Sequence, residues 1–156
     1  MTPPQIVQQL CRRFDGIVPK ERWGETSLFY NPASALPHGV YFCTLKTQDG
    51  DHDRSSNLNR PGVFRLALGI GPDGYTERFG PRPPRPAKGQ AVDTGHDFTR
   101  LDRLMPHPVY AWMGWVQILS PSESMWDETG PLITMAYERA VEKFVHQQKS
   151  KRKPPR

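Results

Sequence analysis

Gly39-Val40-Tyr41-Phe42-Cys43-Thr44-Leu45-Lys46 and Val63-Phe64-Arg65-Leu66-Ala67-Leu68-Gly69-Ile70 are the two runs on which the fold turns. Both are dense in aliphatic and aromatic residues, have the length of a strand and are bounded by turn-forming residues, so both read as β-strands. The simplest arrangement pairs them antiparallel across the exposed loop between them. Working outward, Ser27-Leu28-Phe29-Tyr30 reads as a short strand ended by Asn31-Pro32, and Trp115-Val116-Gln117-Ile118-Leu119 as a buried strand. At the start, Thr2 can cap a helix with Pro3 in its first turn. Ile6, Val7, Leu10, Cys11 and Phe14 then recur at helical spacing as far as Gly16. Near the end, Ser120-Pro121-Ser122-Glu123 has the form of a capping box, and Leu132, Ile133, Met135, Ala136, Ala140, Val141 and Phe144 continue a helical face to about Gln147. Gly130-Pro131 is expected to kink or restart that helix.

These elements predict an α+β single domain, with an antiparallel sheet of four or five strands packed by an N-terminal and a C-terminal helix. The domain is expected over residues 1–148, followed by a disordered basic tail at 149–156. A chain of 156 residues is about one domain and can bury a core without disulfides or a structural metal. Its hydrophobic share is only 36%, with 17 prolines, which implies many loops around a modest core. Cys11 and Cys43 are too few for a disulfide framework and are expected on buried faces of a helix and a strand, as small reduced hydrophobes. No apolar run approaches the roughly 20 residues that span a bilayer, and the first residues lack a signal peptide's basic and apolar regions. No membrane association and a cytoplasmic location are the resulting expectations.

The formal charge of +5 invites a nucleic-acid reading, but its distribution argues otherwise. Lys149, Lys151, Arg152, Lys153 and Arg156 place five of the 21 basic residues in the last eight positions, leaving 16 against 16 acidic residues. The body is therefore formally neutral and lacks the basic footprint of a phosphate-binding surface. Nucleic-acid binding is expected at most weakly, through the tail, whose cluster also has the form of a nuclear-import signal.

The densest chemistry lies in Asp93-Thr94-Gly95-His96-Asp97-Phe98 and in Met105-Pro106-His107-Pro108-Val109-Tyr110-Ala111-Trp112-Met113-Gly114-Trp115. Proline on both sides restricts the backbone at His107, which suits a fixed imidazole. His96 and His107 are the candidate general acid/base groups, with Asp93 or Asp97 to orient them. Tyr110, Trp112 and Trp115 are the candidate ligand contacts, because aromatic rings supply area and a polar tip together. Satisfied structural histidines are the competing explanation. The histidines have neither the i, i+4 pairing nor the Cys/His spacing of a zinc site, so no metal is expected, and no cofactor is implied.

Other motifs are weaker still. Asp93-Thr94-Gly95 matches the aspartic-protease triplet, but it occurs once and is followed by bulky polar residues. Asp49, Asp51 and Asp53 mimic the opening of a calcium loop, yet Arg54 and Arg60 stand where Gly and Glu are required, leaving a solvated turn. Gly69-Ile70-Gly71-Pro72-Asp73-Gly74 has dinucleotide-type glycine spacing, but Pro72 removes a donor; a strand end and turn leading to a short helix at Tyr75–Phe79 fits better. Pro83 and Pro86 with Lys88 have the spacing of a polyproline ligand, against which a stiff surface connector is preferred.

Gly39-Val40-Tyr41-Phe42, Arg60-Pro61-Gly62-Val63-Phe64-Arg65-Leu66, Phe79-Gly80-Pro81-Arg82-Pro83, Asp93–Phe98 and Met105–Tyr110 with Trp112 and Trp115 together resemble an uncharacterised single-domain family, a domain of unknown function. The resemblance covers residues from about Trp23 to Phe144 and implies no activity. The order of helix, small sheet, Trp-bearing strand and final helix is also distantly similar to the MmcQ/YjbR-like proteins, whose DNA-binding label the neutral body does not support. The functional expectation is a small-ligand or protein-interaction module with a His/Trp/Tyr-lined pocket. The alternatives are a small metabolic enzyme using His96 or His107, and weak nucleic-acid binding through the tail.

Overall fold

The computed structural model describes residues 1–152. Its elements in chain order are α1 (Pro3–Arg13), β1 (Ile17–Arg22), β2 (Glu25–Tyr30), β3 (Val40–Lys46), β4 (Arg65–Gly69), α2 (Gly71–Phe79), β5 (Met105–Pro106), β6 (Trp115–Leu119) and α3 (Glu123–Arg152). The strands form one antiparallel sheet in the order β1-β2-β3-β4-β6-β5. The α+β single-domain expectation holds, and β3 pairs with β4 as expected, but the sheet has six strands where four or five were anticipated.

The two additional strands are those that an apolar pattern does not mark. Ile17-Val18-Pro19-Lys20-Glu21-Arg22 is mostly charged beyond its first two residues, because it is an edge strand with little to bury; it is paired to β2 through the hairpin tip Trp23-Gly24. β5 is two residues long. Helix α2 also starts earlier than expected, at Gly71, with Pro72 in its first turn, where a missing N–H costs nothing.

One face of the sheet packs against α1 and α3. Leu28, Phe42, Cys43, Leu45, Leu66, Leu68 and Val116 meet Ile6 and Leu10 of α1 and Leu132, Ile133, Ala136 and Ala140 of α3. The Thr2 hydroxyl accepts from Gln5 and the Gln5 side chain accepts from Thr2, a complete capping box for α1. Cys11 is exposed, contrary to expectation: one residue past Leu10 the helix has turned about 100° away from the sheet.

Helix α3 does not break at Pro131. The proline withdraws the helical donor from the Asp127 carbonyl alone, while the Gly130 carbonyl accepts from Arg13 Nη2 of α1 at 3.3 Å and from the Thr134 hydroxyl at 3.2 Å, tying this stretch of α3 to α1. Arg13 also donates to Thr134 itself. Ser122 caps this helix by accepting from Met125 at 3.2 Å. Ser120, the expected cap, instead accepts from the Phe64 amide and donates to the Gly62 carbonyl, tying β6 back to the start of β4. The helix continues past Gln147 to Arg152, so Lys149, Lys151 and Arg152 lie on its last turns; Lys153 and Arg156 of the basic cluster fall outside the described residues.

Two features shape the opposite face. Leu28 pairs with Cys43 but Phe29 pairs with Tyr41, so Phe42 is the extra residue of a β-bulge. The bulge shifts the alternation of β3: Phe42, Cys43 and Leu45 all enter the core, while Tyr41, Thr44 and Lys46 turn to the other side. The second feature is a corner at which Gly71, just after β4, meets Gly114, just before β6, and donates its amide to the Gly114 carbonyl at 3.0 Å.

Gly114 has φ +85, and a Cβ there would lie 2.4 Å from the Gly71 backbone. Gly62 has φ +73 in the turn closed by the Val63 amide on the Arg60 carbonyl, with open space around it. Gly62→Ala is therefore expected to cost about 1 kcal/mol of conformational strain, and Gly114→Ala upward of about 3 kcal/mol through strain and collision together. Urea unfolding of the two variants checks this; equal losses would show that the contact between the corners is not a constraint.

Candidate functional site

On the face away from α1 and α3, the sheet carries a cavity of about 370 Å³. Its floor is a charged group in the middle of an apolar sheet. Arg65, the first residue of β4, is 1% exposed. Its Nη1 and Nη2 donate to Asp53 Oδ2 at 2.5 Å and Oδ1 at 2.8 Å, Nη2 also donates to the Ser56 hydroxyl at 3.0 Å, and Nε donates to Gln117 Oε1 of β6 at 2.7 Å. Four of the five N–H groups of the guanidinium are thus satisfied. Lys46 Nζ donates to Asp53 Oδ2 at 3.0 Å and lies 3.8 Å from Glu25. The Asp53 loop is consequently no solvated turn. Its third aspartate is a counter-ion, Ser56 and Leu58 behind it are buried, and Asp49 accepts from the Leu58 amide at 2.8 Å.

Burial alone would raise the Asp53 pKa, but the hydrogen bonds and charge of Arg65, aided by His107 and Lys46, hold its carboxyl far below the usual carboxylate range. The neutralised cluster explains how a guanidinium can sit in a sheet interior, since an unpaired buried charge would cost several kcal/mol.

His107 follows β5 and is buried against this floor. Its Nδ1 accepts from the backbone amides of Val109 at 3.0 Å and Tyr110 at 3.1 Å. The flanking prolines, having no N–H, set up the turn that aims those amides at the ring. Nδ1 is thereby closed to a proton, and Nε2 carries the hydrogen of the neutral ring. Burial, reinforced by Arg65 and Lys46 against the opposing pull of Asp53, pushes the His107 pKa well below its ordinary value. The ring meets Tyr110 at 5.0 Å between centroids.

The walls are aromatic. Trp115 lies across Gly69, where a Cβ would fall 2.8 Å from the indole, and its ring is 5.3 Å from that of Tyr41, which is 5.7 Å from Phe29. Burial, then Tyr110 and Glu25, raise the Tyr41 pKa, so its hydroxyl stays protonated. Cys43 lies in the opposite core, where burial pushes its thiol well up and makes it a poor nucleophile.

Of the residues singled out from sequence, His107, Tyr110 and Trp115 line this cavity together. Trp112 stands beside it and donates from Nε1 to the Val109 carbonyl at 3.0 Å. The other candidates do not line it. His96 contacts the Thr94 hydroxyl at 2.9 Å and sets its ring edge-on to Phe79 of α2. Asp97 is exposed and accepts from the amide and hydroxyl of Thr99, which hold its carboxyl below the usual range. Asp93 is exposed. No carboxylate hydrogen-bonds to either imidazole among the described residues, so the expected His–Asp pairing is not formed, and His107 has no free nitrogen lone pair with which to act as a base. No group of three or more His, Cys, Asp or Glu side chains able to hold a metal occurs among the described residues.

Sequence reasoning missed Lys46, Asp53, Arg65 and Gln117. A signal existed for two of them: Arg65 and Gln117 are the polar interruptions in otherwise apolar strands, and such residues are buried only with partners. They are diagonal neighbours across β4 and β6, where Ala67 pairs with Gln117 and Arg65 with Leu119.

Fold and site together define a class, an antiparallel α+β domain whose free sheet face holds an aromatic-walled cavity over a neutralised charge cluster. Residues 1–150 match the profile of DUF6194, a family of unknown function, and the chain belongs to that family. No curated protein and no solved structure gives a match.

Two outcomes test this geometry. Asp53→Asn leaves the Arg65 guanidinium buried without its counter-ion and is expected to cost about 3 kcal/mol at neutral pH. Because the folded pKa of Asp53 is depressed, the stability it supplies is present in full above the unfolded value of about 3.9 and is lost as pH falls below it. The gap between parent and variant in urea unfolding should therefore close from pH 5 toward pH 2; a gap independent of pH would refute the pairing. For His107, ¹⁵N NMR should show an unprotonated Nδ1 and a protonated Nε2 throughout pH 5–8. Its depressed pKa weakens folding as pH falls below about 6.5, where the unfolded imidazole takes up a proton that the folded one refuses.

Proposed function

We propose that the domain binds a small molecule in the sheet-face cavity, one with a flat apolar portion and an oxygen acceptor such as a carboxylate, phosphate, amide or keto group. The observation that carries this reading is a surplus of donors on the floor. Both Asp53 oxygens are committed, whereas His107 Nε2–H, the Tyr41 hydroxyl, the last Arg65 N–H and the remaining protons of Lys46 have no protein acceptor among the described residues. The rings of Phe29, Tyr41, Tyr110 and Trp115 offer faces to an apolar body. A cavity of about 370 Å³ has the volume of a ligand pocket, which favours a metabolite over a partner domain.

A binding role suits this arrangement better than acid–base catalysis, because the imidazole at the floor can donate but has no lone pair left to accept a proton. Chemical-shift mapping with benzoate, benzamide and benzyl alcohol tests the reading. Shifts concentrated at Tyr41, Thr44, Lys46, Tyr110 and the Trp115 indole are expected, with benzoate and benzamide binding more tightly than the alcohol. Tyr41→Ala, a half-exposed position, is expected to weaken them at least tenfold without loss of fold. Absence of shifts at millimolar concentration, or shifts spread elsewhere on the molecule, would sink the proposal.

A further inference from the structure

Tyr110 and Val109, with His52, form one wall of the sheet-face cavity and also line a second cavity of about 360 Å³ on their other side. The outer wall of this second space is the segment that leaves the proline-rich run, Arg85-Pro86-Ala87-Lys88-Gly89-Gln90. That segment is not free. Arg82 donates to the Trp112 carbonyl at 3.0 Å, and the Arg85 guanidinium lies 4.8 Å over the Trp112 indole. Trp112 is held in turn by its Nε1 bond to Val109. The connector is therefore fastened to the short turn that carries the cavity wall.

The two spaces differ in charge. In the first, Glu25, Asp51 and Asp53 oppose Lys46 and Arg65; in the second, Arg85 and Lys88 stand with His52, and none of the described residues that line it is a carboxylate. A guanidinium held over an indole ring makes no hydrogen bond to it and keeps its N–H groups for carboxylate or phosphate oxygens. Lys88 makes no hydrogen bond or ion pair among the described residues and adds a second charge.

We propose that the second cavity receives an anionic oxygen group at the far end of the ligand, whose ring and acceptor occupy the first. This rests on the small-ligand reading above and narrows it: the ligand is an elongated organic anion laid across Tyr110, with its ring end over Trp115 and its charged end at Arg85 and Lys88.

The test uses four phenylpropyl probes of one length, ending in hydroxyl, carboxylate, phosphate or ammonium, with affinities from NMR titration of the full chain. At low salt the carboxylate or the phosphate is expected to bind at least tenfold more tightly than the alcohol, and the ammonium no better than it. The ranking of the two anions identifies which group the site takes. The advantage should shrink as salt rises, vanish in Arg85→Ala and in Lys88→Glu, and fall without vanishing in Arg85→Lys, which keeps the charge but loses the planar fork; Lys88, exposed and without a hydrogen bond or ion pair among the described residues, guards against a loss caused by loosening of the connector. Equal binding of alcohol and anions by the parent, or an anion advantage that persists in both variants, overturns the proposal. If the alcohol still binds and Tyr41→Ala abolishes it, the small-ligand reading stands while this one falls; if no probe shifts the cavity resonances, both fall.

Discussion

Arg65 is the constraint around which the free face of the sheet is built. A guanidinium in the centre of a sheet must be given acceptors from every direction that excludes water, and two separate parts of the chain supply them: Asp53 and Ser56 from the loop between β3 and β4, and Gln117 from the neighbouring strand. Each supplier is then fixed in its own right. Ser56 donates to Gln117 at 3.1 Å, Gln117 donates to the Phe98 carbonyl at 3.3 Å, and Lys46 secures Asp53 from the far side. A long polar loop that would otherwise be free in solvent is thereby laid down as one wall of a cavity. Among the described residues no side-chain nitrogen or oxygen sealed from solvent lacks a partner, the spare donors being on residues that line the cavity, which is the condition for a polar network to specify a structure rather than destabilise it.

The bulge in β3 lets one sheet serve two purposes. A regular strand would place Tyr41 on the same face as Cys43 and Leu45, in contact with the helices. The extra residue at Phe42 reverses the phase at that point, so the helices receive Phe42 while Tyr41 joins Trp115 and Phe29 over the charged floor. Gly69 acts in the same sense from β4, since only a residue without a side chain allows the Trp115 indole to lie flat across the sheet.

The apolar patterns of β3, β4 and β6, the Thr2 cap and the long amphipathic face of α3 were legible in the sequence because each is a local signal: a period, a cap or a run. β1 was not, since beyond Ile17 and Val18 it runs through Pro19, Lys20, Glu21 and Arg22, an edge strand held by backbone pairing with too little apolar pattern to announce itself. The continuity of α3 through Pro131 was hidden for a different reason: a proline signals a break locally, whereas Leu132, Ile133, Ala136 and Ala140 beyond it pack on strands that lie far away in sequence. Half of the candidate site was legible for the same reason as the strands. The aromatic density after Pro106 marked His107, Tyr110 and Trp115, whereas Lys46, Asp53 and Arg65 belong together only once the sheet is closed. His96, Asp93 and Asp97 shared the local density, but their segment packs toward Phe79 and solvent, a choice that no spacing rule encodes.

The composition of β1 has a consequence for how molecules of this chain meet one another. A sheet grows by adding strands at its rims, and a long flat rim invites a second copy to do so. Here one rim presents a proline and three charged side chains, and the other is the two-residue strand Met105-Pro106, again ending in proline. Both rims are poor templates for backbone pairing, so self-association by sheet extension is disfavoured even at high concentration. Encounters are left to the helices and to the face that bears the cavity.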